Sequence, residues 1–115
     1  MRNDCVFCGI ADGEVAATRV FADDSVVAFR DIAPRAPVHV LVIPREHIPS
    51  FADLADDRTG LIARLVLAAR DVAVHEGVAD AGYRVVTNVR SDGGQTVGHL
   101  HLHVLGGRQF MWPPG

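Results

Sequence analysis

A domain that mixes β-strands with one long amphipathic helix is the fold this sequence predicts. Three stretches carry the prediction. Residues 99–104, His-Leu-His-Leu-His-Val, alternate polar and aliphatic side chains, as a strand with one buried face does. Residues 38–43, Val-His-Val-Leu-Val-Ile, are β-branched and nearly all apolar, which suits a central strand covered on both faces. Residues 57–76 change period: Leu61, Ile62, Leu65, Val66, Ala69, Val72 and Ala73 recur at three- and four-residue steps.

The composition bounds the class. The chain has 115 residues, enough for one domain over 1–115 with its own core and too few for two. Hydrophobic residues make up 49% of it, which excludes disorder. No apolar run approaches the ~18–20 residues of a membrane span, so no membrane partner is expected. The opening Met1-Arg2-Asn3-Asp4-Cys5 lacks the apolar stretch of a signal peptide, and the expected location is the cytoplasm. The net charge of −3 and the absence of a basic block give nucleic-acid binding little electrostatic support. The only cysteines are Cys5 and Cys8. In a cytosolic setting such a close pair points to metal or redox chemistry more than to a structural disulfide.

In chain order, Cys5-Val6-Phe7-Cys8-Gly9-Ile10 supplies half a tetrahedral metal site, and Val6, Phe7 and Ile10 either pack or line a pocket. Residues 18–30 read as a hairpin, with Val20 and Phe21 before a turn at Asp23-Asp24-Ser25 and Val26 to Phe29 after it. The two prolines of Asp31-Ile32-Ala33-Pro34-Arg35-Ala36-Pro37 fix a non-helical connection. Asp31 there either caps the turn or accepts hydrogen bonds from a ligand hydroxyl. His39 interrupts the apolar strand 38–43, and His47 follows that strand's end closely. Asp56 or Asp57 can cap the helix that comes next, and Gly77 suits its end. Residues 83–88 are a further strand. The loop Ser91-Asp92-Gly93-Gly94-Gln95-Thr96-Val97-Gly98 then runs into the histidine row. Its glycines make either an ordinary turn or a nest of N–H donors for phosphate, and the adjoining histidines favour phosphate.

The row itself limits its own chemistry. At about 3.3 Å per residue, alternate histidines step by roughly 6.5–7 Å, and His99 and His103 lie about 13 Å apart. One tetrahedral metal with bonds near 2.0–2.1 Å is not expected to hold all three. Three neighbours with separate tasks fit better: a nucleophile or base, a residue that orients it, and one outside the reaction. An imidazole with an unperturbed pKa near 6.5 is mostly neutral at pH 7 yet easily protonated. In the tail 106–115, Phe110 and Trp112 are costly to expose on a monomer and are expected to cover something, such as a partner protomer.

The sequence resembles the histidine triad (HIT) proteins, and within them the Hint branch. The motifs that carry this are His99-Leu-His101-Leu-His103-Val104, Ser91-Asp-Gly-Gly-Gln95, Asp31-Ile-Ala-Pro-Arg-Ala-Pro-Val-His39, Leu41-Val-Ile-Pro44 and Trp112-Pro-Pro-Gly115, over nearly the whole chain. The resemblance implies an α+β fold with a five-stranded, mainly antiparallel sheet and one long helix. It also implies a homodimer whose sheets join. The implied activity is hydrolysis of the P–N bond of purine nucleoside 5′-phosphoramidates, such as AMP joined to an amine, through a nucleotidyl-histidine intermediate. His101 would be the nucleophile, with His103 contacting the phosphate and sharing a proton relay with His39. Asn88, Gly94, Gln95 and Thr96 would hold phosphate oxygens or the leaving amine. Asp31 would bind the ribose, and Val6, Phe7, Ile10, Phe29, Ile32 and Leu41 would form the purine pocket. Trp112 would reach the partner's site. No catalytic metal is implied.

Three features depart from the familiar Hint pattern. Thr96 stands where that pattern has Ser, and Gly98 where related proteins often have a larger residue. Cys5 and Cys8 are absent from many Hint proteins, but several bacterial relatives have them. There they bind zinc with the His of the Pro-x-x-His stretch and the first His of the row. The resemblance thus implies a structural zinc site from Cys5, Cys8, His47 and His99, the alternative being unligated thiols. Competing functions are a dinucleoside polyphosphate hydrolase or nucleotidyltransferase of the same family, a nucleotide-binding adaptor with incidental catalysis, and a metal-dependent hydrolase.

Overall fold

A computed structural model describes residues 4–115. Met1, Arg2 and Asn3, part of the opening stretch expected to lack a signal peptide, lie outside the described residues. Five antiparallel strands form one sheet: β1 (Arg19–Ala22), β2 (Val26–Arg30), β3 (Val38–Pro44), β4 (Tyr83–Val86) and β5 (Leu102–Gly106). Their spatial order is β1-β2-β3-β5-β4, so the apolar run 38–43 is central and pairs with β2 and β5. The helix α2 (Thr59–His75) crosses one face of the sheet. The architecture is the α+β, five-stranded fold with one long helix that the sequence and its resemblance predict. No helix among the described residues is long and apolar enough to cross a membrane.

The period-2 pattern of the strands divides the interior into two cores. Val26 and Ala28 of β2, Val40 and Val42 of β3, and Leu102 and Val104 of β5 meet Leu65, Ala68, Ala69, Val72 and Ala73 of α2. On the opposite face, Val27, Phe29, Leu41 and Ile43 meet a second helix, α1 (Val6–Asp12), through Phe7, Ile10 and Ala11. His39 and His103 occupy this second face. In the β3–β5 register Leu41 lies opposite His103 and His39 opposite Leu105. The two histidines are therefore diagonal neighbours, close enough for long side chains to meet.

Four local expectations change. The stretch after Cys5 forms α1, a helix that no apolar period announces. Cys5 caps it, its Sγ accepting the Cys8 N–H at 3.3 Å, and Gly13 ends it at φ 82. Cysteine is not among the residues that signal a cap, although a glycine in the left-handed region is a common helix end. The start of α2 lacks the predicted aspartate cap. Arg58 occupies the N-cap with no side-chain cap bond, and Asp57 pairs with its guanidinium at 3.6 Å. β4 stops at Val86, two residues before Asn88. Finally, β5 begins only at Leu102, so His99, Leu100 and His101 precede the strand. Leu100, Leu102 and Val104 still enter the α2 core as the alternation requires.

Candidate functional site

A cavity of about 630 Å³ opens on the α1 face of the sheet, within the usual range of small-molecule sites. The structure brings Val6, Phe7, Ile10, Phe29, Ile32 and Leu41 into its wall together with Asp31, Thr96, His101 and His103. Phe7 stands edge-on to Phe29 and to His101, with ring centroids 5.4 and 5.1 Å away. Val15, Ala16, Ala17, Thr18, Arg30 and Val97 complete the wall, and nothing in the sequence pattern marks them for it. The short small-residue run between Glu14 and Thr18 carries no periodicity, so only the path from α1 into β1 reveals its place.

The hydrogen bonds of His39, His101 and His103 fix their tautomers. A carbonyl can only accept, so the 2.7 Å contact of His101 Nδ1 with the His99 carbonyl puts the proton on Nδ1. That leaves His101 Nε2 with a free lone pair. A backbone N–H can only donate, so the Arg35 N–H at 3.0 Å makes His39 Nδ1 the acceptor and puts the His39 proton on Nε2. His39 Nε2 lies 2.9 Å from His103 Nδ1 and 3.4 Å from Asp31 Oδ2. The shorter contact makes His103 Nδ1 an acceptor, so the His103 proton sits on Nε2. Asp31 takes the turn role and also stands on the cavity wall. Its Oδ1 accepts the Ala33 N–H at 2.8 Å, while Oδ2 faces His39 and the residue lines the cavity.

Burial, reinforced by repulsion from His101 and His39, pushes the His103 pKa down to about 4. His39 is also lowered, by burial first and by the Arg35 charge, with Asp31 opposing. Both rings are therefore held neutral at pH 7. This predicts a pH-dependent stability. The unfolded chain takes a proton on His103 near pH 6.5, before the folded one does near 4. The contribution is complete above about 6.5 and is lost as pH falls toward 4. Allowing for screening of a half-buried ring, it is worth about 2–3 kcal/mol at most. Urea midpoints at pH 7 and pH 4.5 measure it; equal midpoints contradict it.

Asn88, Gly94, Gln95 and Trp112 do not line the cavity. The glycine loop closes on itself: the Gly94 N–H donates to the Ser91 carbonyl and the Gln95 N–H to the Arg90 carbonyl. The Gln95 amide is a staple. Its Nε2 donates to the Pro49 and Val97 carbonyls, and its Oε1 accepts the Arg90 N–H. These hydrogen bonds make the loop a stapled turn. Trp112 is 81% exposed in the tail.

Beside the cavity, Cys5, Cys8, His47 and His99 form a cluster whose ligand atoms all lie within 4.8 Å of one another. His99 Nδ1 is 3.4 Å from Cys5 Sγ and 3.5 Å from Cys8 Sγ, and His47 Nδ1 is 3.2 Å from Cys8 Sγ. A tetrahedral ion with bonds of about 2.3 Å to sulfur and 2.0–2.1 Å to nitrogen spaces such ligands about 3.5 Å apart. The donor set fits zinc. His99 is fully buried, and its Nε2 donates to the Pro44 carbonyl at 2.8 Å, which turns Nδ1 toward the thiols as metal-ligating histidines require. The histidine row is thus split: His99 joins the cluster, while His101 and His103 face the cavity.

The HIT domain model matches residues 12–110. A HIT family hydrolase from Legionella pneumophila is 53% identical with a TM-score of 0.94, over 96% of this chain and 99% of that one. A histidine triad protein from Clostridium difficile is 41% identical with a TM-score of 0.93, over 96% of both chains. An uncharacterised HIT-like protein of Synechococcus elongatus is 45% identical over 115 residues, all of both chains. A hypothetical histidine triad nucleotide-binding protein from Sulfolobus tokodaii is 30% identical with a TM-score of 0.76, over 89% of this chain and 68% of that one. With the triad motif, the five-stranded fold and a family match spanning most of its length, the chain belongs to the HIT family.

Proposed function

We propose that the protein hydrolyses the P–N bond of purine nucleoside 5′-phosphoramidates as a Hint-type enzyme, using His101 as a covalent nucleophile. The observation that carries this reading is the His101 tautomer. Its Nδ1–H is held by the His99 carbonyl, which leaves Nε2 free in a ring that lines an apolar cavity. A neutral imidazole so held is an activated nucleophile. The nucleotide-binding description of the Sulfolobus tokodaii protein supports a nucleotide as its substrate.

In the first displacement, the bond from His101 Nε2 to phosphorus forms as the P–N bond breaks. The departing amine takes a proton from His103 Nε2. An anionic phosphoryl group in the cavity offsets the burial and repulsion that keep His103 neutral, so substrate binding adds a second proton at His103 Nδ1, the His39 Nε2–H turns from that nitrogen to Asp31 Oδ2, and the charged ring can then give up its Nε2 proton. In the second displacement, water attacks phosphorus, its proton returns to His103, and the His101–phosphorus bond breaks. The products are a nucleoside monophosphate and an amine. His39 holds His103 in one tautomer, and Asp31 opposite His39 stabilises the positive charge the pair acquires. Phe7, Phe29, Ile10 and Leu41 receive the base, Asp31 on the same wall takes the ribose hydroxyls, and Thr96 also lines that wall.

Zinc bound to Cys5, Cys8, His47 and His99 would contribute folding energy and leave no position for substrate. The reading includes a homodimer in which Trp112 reaches the partner's cavity. The exposure of Met111 (75%) and Trp112 (81%) supports a covered role for the tail. Cytoplasmic location belongs to the same reading.

Turnover of an adenosine 5′-phosphoramidate and of a dinucleoside polyphosphate should be compared on one preparation, with mass analysis of rapidly quenched protein. A higher kcat/KM for the phosphoramidate and a nucleoside monophosphate on His101 are expected. Preference for the polyphosphate assigns the protein to the other hydrolase activity of the family.

A further inference from the structure

The nucleophile does not stand on the sheet. β5 begins at Leu102, so the ladder of inter-strand hydrogen bonds does not hold His99, Leu100 and His101. Their backbone is held by separate contacts instead, and most come from one segment. The Leu100 N–H donates to the Ile48 carbonyl at 2.7 Å. The His99 ring donates to the Pro44 carbonyl at 2.8 Å and packs edge-on to His47, with centroids 5.0 Å apart. Its other nitrogen faces the two thiols. The Thr87 hydroxyl donates to the His101 carbonyl at 2.9 Å. The His99 carbonyl, in turn, is the group that keeps the His101 proton on Nδ1.

We propose that the Cys5–Cys8–His47–His99 cluster is a positioning device for His101: a metal ion held there fixes the His99 peptide, and that peptide decides which imidazole nitrogen of His101 is free. This rests on the reading of His101 as nucleophile. His99 acts as a positioning residue through its carbonyl. The metal joins three parts of the chain that the sheet does not join here: the start of α1, the segment after β3, and the peptide before β5. When it is absent, the His99 ring keeps its bond to Pro44 and meets the thiols only through contacts of 3.4 and 3.5 Å, a looser anchor than a metal bond. The His99 carbonyl then gains freedom, and His101 samples both tautomers, one of which carries a proton on the attacking nitrogen.

The cluster is reachable without unfolding the domain. A groove of about 470 Å³ is lined by Asp4, Cys5, His47 and Gly98, and by Val6, Thr96 and Val97, which also line the main cavity. A layer one residue thick thus separates the metal ligands from the substrate wall, and chelators have an entry path to Cys5 and His47.

The test compares zinc-loaded protein, chelator-treated protein, Cys5→Ala and Cys5→Asp. Aspartate retains both a zinc ligand and a helix cap, which alanine does not. The primary readout is nitrogen NMR of the histidine rings, which distinguishes the tautomers without any substrate. The zinc-loaded protein should show His101 as a single Nδ1–H form. Cys5→Ala and the chelated protein should show both forms in exchange, and Cys5→Asp with zinc should restore one. In parallel, kcat should fall at least about tenfold in Cys5→Ala while KM and the Kd for AMP change less than about threefold. A folded, metal-free protein that keeps a single His101 tautomer and its kcat overturns the proposal. So does a loss of stability with no change in tautomer, since a merely structural metal gives that result. If the zinc-loaded protein forms no nucleotidyl-His101, the functional reading fails, and the NMR comparison still decides this one.

Discussion

Replacing His101 with alanine is expected to lower turnover of a purine nucleoside phosphoramidate by about 10³–10⁶-fold, the scale seen when a covalent nucleophile is removed. Affinity for AMP should change by only a few-fold, because the apolar wall and Asp31 remain. The alanine variant has a structural cost as well. His101 is 4% exposed, and its ring donates to the His99 carbonyl and packs on Phe7. An orphaned buried carbonyl costs about 1–3 kcal/mol. His101→Asn is the control, since its amide can still donate to that carbonyl yet cannot carry phosphorus. Both variants should be inactive in single-turnover assays while folded by circular dichroism. Turnover within about tenfold of the parent in His101→Asn moves the nucleophile elsewhere.

The second large effect concerns the relay. His103→Ala should cost about 10²–10⁴ in kcat, the usual worth of a positioned general acid. His39→Ala should cost less, because it removes an orienting residue and leaves the donor in place. The two variants separate further in pH dependence. His39 lowers the His103 pKa by repulsion, and its N–H occupies the Nδ1 lone pair. Both effects disfavour protonation of His103. Removing His39 therefore raises the His103 pKa from about 4. The alkaline limb of the pH–kcat/KM profile, which reports loss of the free enzyme's general acid, should move to higher pH in His39→Ala and be absent from His103→Ala. An alkaline limb that stays in place in His39→Ala removes the His39–His103 coupling from the mechanism.

Much of this site is legible in residue order, but unevenly. The alternation of 99–104 places Leu100, Leu102 and Val104 in one core. It also predicts that the three histidines share no single metal, and the structure sends His99 to a different cluster. The spacing misleads in one respect, since it extends the strand to His99 when the ladder starts at Leu102. Alternation records which face a side chain takes, not whether its backbone is paired. The glycine loop shows the same limit. Gly93 and Gly94 mark a tight bend, but what ties it down is Gln95, whose amide reaches back to Pro49. Helix α1 escapes the sequence because it is short and capped by a cysteine.

The sequence by itself determined the strands, the long helix, the chemical character of the cavity wall and which residues have reactive side chains, because period, turn chemistry and side-chain type are local properties. Tertiary structure alone decided which nitrogen of each imidazole carries its proton. That choice is made by a carbonyl at His99, an N–H at Arg35 and a diagonal neighbour across the β3–β5 register. Tautomers follow the nearest donor or acceptor in space, and 64 residues separate His39 from the histidine it orients.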